Sequence, residues 1–144
     1  MSTAKVILSM STKHVLNEGD VLCKEGNDSN SVFILLAGKL SVRIQNSANV
    51  ATINPVCTIG EIGVFTGEKR SATVVAMEKS SLFSLPKKSL DTLIDRDPAF
   101  GVRIMRKVIQ DLSVRIAEDN IKIREFQHYI LERKNSKQVK DSTE

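Results

Sequence analysis

The sequence has 144 residues, 41% hydrophobic and 26% charged, the proportions of one soluble domain with one core. No apolar run approaches the roughly 20 residues of a membrane span, and the patch Val6 to Leu8 is too short for a secretory signal. The formal charge of +4 is interleaved, with 11 basic and 10 acidic residues in 1–102 and 10 and 7 in 103–144, so no basic stripe exists to neutralise a row of phosphates, and neither direct nucleic-acid binding nor a membrane role is expected.

Residues 14–86 read as a series of short strands. Val21 and Cys23 alternate with polar neighbours before the turn residues Glu25-Gly26-Asn27-Asp28. Ser31 to Leu36 is a buried-strand run closed by Ala37-Gly38, and Leu40, Val42 and Ile44 then alternate with polar residues at period two. Asn46 to Asn49 makes a polar hairpin loop before Val50 to Ile53, and Ala72–Ala76 and Leu82–Leu85 add two more β-rich runs. Strands at this spacing with glycine turns predict an antiparallel, jelly-roll-like β-roll.

The pattern changes at Pro86. Leu90, Leu93 and Ile94 share one face of a short helix over 87–95. Asp97-Pro98 reads as an N-cap with proline at the first helical position, opening a long helix over 98–134. Val102, Ile109, Ile116, Ile123 and Ile130 repeat every seven residues, with Met105, Leu112, Asp119, Phe126 and Arg133 on the second core-facing position. β-branched residues at the first position favour a parallel two-stranded coiled coil. About 36 helical residues span roughly 54 Å, more than a domain this small can cover, so a homodimer through 98–134 is expected. The competing reading is a helix packed on its own β domain. Asp119 is the flaw in the seam, and residues 135–144 read as a polar, disordered tail.

The segment most suggestive of chemistry is Ile59 to Val74. Gly60 and Gly63 flank a short apolar pair, and a helical turn at Glu61–Val64 would present backbone N–H groups as an anion site. Arg70 could clamp phosphate oxygens from the far end of the loop, and Ser71 adds a hydroxyl. Glu61 is an acceptor beside that site and suits a sugar hydroxyl. On the other reading, Gly60 and Gly63 serve only a tight turn, and Glu61 with Arg70 is a surface ion pair worth at most about 1 kcal/mol.

The order Gly60-Glu61-Ile62-Gly63-Val64-Phe65, then Arg70-Ser71-Ala72-Thr73, resembles the phosphate-binding cassette of the cyclic nucleotide-binding domain family, found in bacterial catabolite activator proteins and protein kinase A regulatory subunits. The likeness extends over roughly residues 14 to 130, through Gly19-Asp20-Val21, Glu25-Gly26 and Phe33 to Leu40. It implies that Arg70 pairs with the cyclic phosphate, that Glu61 accepts from the ribose 2′-hydroxyl, and that Ser71 contacts the phosphate. Backbone amides near Gly63 and Ala72 complete the phosphate shell, with Gly60 close to the ribose and Ile62 counted among the nucleotide-binding residues. By spacing from Arg70, the activators' base-contacting region falls at Arg115, which either meets the purine or faces solvent. The resemblance also implies cAMP, with cGMP the alternative, as the ligand of a cytoplasmic receptor that moves its C-terminal helices. The chain departs from the pattern at Pro55 to Ile59, which lacks the usual glycine and aromatic.

No helix-turn-helix follows Lys134, so the expected signalling route is an effector protein or a downstream domain of a longer chain. A β-roll that only dimerises, with an empty pocket, is the rival reading. No metal is expected. His14 and His128 lack partners at ligand spacing, and Cys23 and Cys57 lie far apart in β-rich stretches without a CxxC. No nucleophile elbow or base partner is visible, and nothing points to an enzyme.

Overall fold

The computed structural model describes residues 3–45 and 49–141, in two units that divide between Gly101 and Val102. The first unit opens with α1 (Thr3–Met10), then β1 (Thr12–Leu16), β2 (Val21–Cys23), β3 (Ser31–Ala37), β4 (Leu40–Arg43), β5 (Ala51–Ile53) and β6 (Cys57–Ile59). It continues with α2 (Glu61–Thr66), β7 (Thr73–Ala76), β8 (Ser80–Pro86) and α3 (Lys87–Arg96). One four-stranded sheet has the order β1-β8-β3-β6 and the other β2-β7-β4-β5, with all pairings antiparallel. This is the β-roll expected from the strand spacing.

Alternation sets which side chains turn inward. In β4, Leu40 pairs with Ala76 and Val42 with Val74, placing four apolar residues on one face. Leu35, Leu40, Ile59, Val74 and Ala76 form the buried cluster, with Leu16, Leu22, Cys23, Phe33 and Ile53 packed against it. Each fully buried leucine contributes about 1.5–3 kcal/mol. Leu90 and Leu93 of α3 are buried as their spacing requires.

Three features were not anticipated. The stretch that departs from the cassette pattern contains a strand, β6, whose Ile59 and Cys57 pair with Phe33 and Leu35. α1 precedes the β-roll. The long helix, α4, runs Pro98–Asp141, seven residues beyond the expected end at Lys134. The polar tail is thus helical as far as Asp141, because Lys137, Gln138 and Lys140 are good helix formers and no proline or glycine intervenes. The hairpin loop expected at 46–49 lies mostly outside the described residues, as do 142–144. The start of α4 is as read: Asp97 Oδ1 accepts from the Phe100 N–H at 3.0 Å, an N-cap ahead of Pro98.

The second unit is the remainder of α4. Val102, Met105, Ile109, Ile116, Ile123, Phe126 and Ile130 are all exposed. Lys107–Asp111 and His128–Glu132 are i,i+4 pairs on its surface.

Candidate functional site

The cassette is built where β6 leaves its sheet. Gly60 turns the chain at φ 81° and is the N-cap of α2, a conformation that costs a β-carbon-bearing residue about 1–2 kcal/mol. Glycine is also required for space, because a Cβ there would lie 1.6 Å from Arg70 Nη1. The other end of α2 closes at Gly67, whose N–H donates to the Gly63 carbonyl at 2.9 Å.

Glu61 is only 3% exposed and occupies the first turn of α2, where the helix dipole favours negative charge. Arg70 is 8% exposed. Its Nη1 donates to the Gly60 carbonyl at 3.0 Å and its Nη2 to the Ser31 carbonyl. The guanidinium carbon lies 5.4 Å from the centroid of the Phe33 ring, within cation–π range. Two backbone bonds hold the arginine from below: its N–H donates to the Asn27 carbonyl and its carbonyl accepts from the Gly26 N–H, both at 2.8 Å. These burials exclude a surface ion pair as the explanation of the two residues. Keeping both charged groups out of water is costly unless each is engaged, so their common position beside Gly60 is a built arrangement.

The other residues singled out by sequence fall as follows. Gly63 is buried, Ile62 and Ala72 are half-buried, and Ser71 is exposed. Gly60 to Gly63 and Arg70 therefore come together through one carbonyl, and Ser71 and Ala72 follow Arg70 into β7. Arg115 is an exposed residue of α4, in the second unit. His14 Nε2 and Ser84 Oγ are 2.7 Å apart across β1 and β8, a packing role. Cys23 and Cys57 are reduced thiols, not joined in a disulfide, and both are half-buried. Burial pushes the Cys23 thiol up from its ordinary value; the Arg70 charge and a hydrogen bond with the Val74 backbone pull the other way. Cys23 is thus a neutral wall residue within electrostatic reach of Arg70. Among the described residues no cluster of histidine, cysteine or carboxylate side chains could hold a metal ion.

Sequence reasoning does not reach four residues that support the site from outside the cassette. Phe33 was read only as part of a strand, and the carbonyls of Ser31 and Asn27 have no side-chain signature. Lys87, whose Nζ donates to the Val64 carbonyl of α2 at 3.0 Å, looked like an ordinary surface lysine.

Residues 13–97 match the family model described as the cyclic nucleotide-binding domain. The chain is 27% identical over 117 residues to Glutaminase 2 of Bradyrhizobium diazoefficiens, covering 81% of this chain and 19% of that protein. It is 35% identical over 107 residues to a cyclic nucleotide-gated cation channel of Drosophila melanogaster, covering 65% of this chain and 16% of the channel polypeptide. It spans less than a fifth of the length of either relative. A solved cyclic nucleotide-binding domain from Methylobacillus flagellatus KT superposes with a TM-score of 0.73 at 23% identity, covering 81% of this chain and 67% of that one; at that identity the likeness establishes the fold.

Proposed function

The chain belongs to the cyclic nucleotide-binding domain family, and on that footing we propose that it is a receptor module for a 3′,5′-cyclic nucleotide, cAMP before cGMP. Arg70 engages the equatorial phosphate oxygens, and the N–H groups of the first turn of α2 complete the anion shell. Glu61 accepts from the ribose 2′-hydroxyl, which a 3′,5′-cyclic phosphate leaves free. Ser71, exposed at the end of the loop, adds a donor to the phosphate, and serine rather than threonine at this position goes with cAMP. For Arg115 the base contact and a solvent-facing role stand as alternatives, and the cAMP/cGMP affinity ratio of Arg115→Ala decides between them.

The observation that carries this reading is the burial of Glu61 and Arg70, 3% and 8% exposed, in one glycine-bounded cassette. Binding works as a population shift: the nucleotide favours the arrangement in which the cassette is tightened, and the C-terminal helices follow. A tenfold preference moves that equilibrium by about 1.4 kcal/mol, so the two arrangements must be closely balanced. The receptor acts as a homodimer through α4, in the cytoplasm, on an effector protein or a further domain. Chemistry named for the enzymes among its relatives is not part of this reading.

Calorimetric titration with cAMP, cGMP and non-cyclic AMP tests it. The cyclic forms should bind more tightly than AMP, and Arg70→Ala should weaken cAMP by about 10- to 100-fold, the loss expected for charge-assisted hydrogen bonds of about 1.5–3 kcal/mol. Equal, weak binding of cyclic and non-cyclic forms would refute the receptor and leave a β-roll that only dimerises.

A further inference from the structure

The loop between β2 and β3 touches both the cassette and α3. Asn27 and Gly26 hold the backbone of Arg70. Ser29 lies so close to Gly63 of α2 that a Cβ on that glycine would be 2.1 Å from Ser29 Oγ. The Asn30 carbonyl accepts from the Lys87 N–H at 2.9 Å, which fixes the first residue of α3. From there the Lys87 side chain reaches back, and its Nζ donates to the Val64 carbonyl at 3.0 Å while Asp91 Oδ2 stands 3.6 Å away.

A helix leaves its last four carbonyls without intrahelical partners and carries partial negative charge at that end. In α2, only six residues long, the Gly63 carbonyl is taken by Gly67 and the Val64 carbonyl by Lys87. A cation from another helix thus caps the end of α2 opposite Glu61. Any displacement of α2 along its axis changes this contact, and Asp91, one turn farther along α3, holds the ammonium from behind.

We propose that Lys87 is the positioning residue that ties α2 to α3, so that tightening of the cassette on a nucleotide is passed to α3 through the Val64 carbonyl. The inference rests on the receptor reading above and adds the route by which occupancy leaves the cassette. Lys87 touches no ligand. It acts by giving α2 and α3 one shared charge-assisted bond that differs between the two arrangements, the requirement for coupling.

The test uses the whole chain as wild type, Lys87→Met and Lys87→Arg, with calorimetry against cAMP and hydrogen exchange of α2 and α3 amides with and without cAMP. Lys87→Met keeps the aliphatic stem and removes the cation. Its cAMP affinity should stay within about fivefold of wild type, the ceiling for a half-exposed charged contact. The ligand-induced change in exchange should persist in α2 and be lost in α3, and Lys87→Arg should restore it. A response of α3 that survives in Lys87→Met overturns the proposal, as does a wild-type chain that binds cAMP with no response in α3. A wild-type chain that binds no cyclic nucleotide refutes the receptor reading itself, a result visible in the calorimetry before exchange is measured.

Discussion

At the scale of single residues, the site depends on where Arg70 is held. Its two terminal nitrogens face the carbonyls of Gly60 and Ser31, and its guanidinium carbon lies over the Phe33 ring, so the protein's own groups hold the side chain in place. Preorganisation of this kind lowers the ordering cost of binding. Two glycines separate its contribution from backbone strain. Gly60 and Gly67 both have positive φ, 81° and 78°, but only Gly60 has Arg70 where a Cβ would go; Gly67 has open space. Both alanine variants should lose about 1–2 kcal/mol in urea unfolding from the left-handed backbone. Gly60→Ala should in addition displace the guanidinium and weaken cAMP by about tenfold or more, the loss of one charge-assisted bond, whereas Gly67→Ala should bind as wild type does. Equal affinities in the two variants would show that Arg70 does not act from this position. Glu61 has its own signature. Glu61→Gln should weaken cAMP and leave 2′-deoxy-cAMP unaffected, since the deoxy ligand lacks the hydroxyl that the carboxylate accepts from; calorimetry with both ligands reads the difference.

At the scale of elements, the sequence was legible wherever periodicity or capping marks a boundary. β3, β4, β7 and β8 follow from alternation or apolar runs, and α3 from Leu90, Leu93 and Ile94. The order of residues in the cassette singles out Glu61 and Arg70 as candidates, and both are buried. What stayed hidden has no local pattern. β6 is three residues whose partners on β3 lie more than twenty positions upstream, and two of the carbonyls that hold Arg70, those of Asn27 and Ser31, lie some forty residues away, before and at the start of β3. The C-terminal end of α4 is not legible because a polar tail fits disorder and helix alike, Lys and Gln being compatible with both. The N-terminal end was legible because Asp97 caps Phe100 at 3.0 Å. Asp97→Ala should therefore cost about 0.5–2 kcal/mol, seen as a lower urea midpoint with an unchanged slope. A variant as stable as wild type would mean that the cap is replaced by solvent at no loss.

At the scale of the molecule, α4 presents apolar side chains that nothing within its own unit covers. Ile109 is 64% exposed, Ile116 61%, Ile123 55% and Phe126 64%, and with Val102, Met105 and Ile130 they repeat at the heptad spacing of a two-stranded coiled coil. An apolar stripe of this length, left open to water, is the surface that a second copy would cover in the homodimer proposed above. Each side chain contributes about 1.5–3 kcal/mol when fully buried. Asp119 interrupts the stripe and sits 3.6 Å from Lys122 on its own helix, a local partner that lessens the cost of a carboxylate at the seam without removing it. Sedimentation equilibrium should find the chain dimeric. Ile116→Glu with Ile123→Glu should make it monomeric while the cassette, in the first unit, keeps its fold and its far-ultraviolet β signal. Asp119→Leu should tighten the dimer by about tenfold or more, since an apolar side chain there fills the position that the heptad reserves for one. If the double glutamate variant still sediments as a dimer, the heptad seam is not the interface, and the β-roll itself must supply the contact.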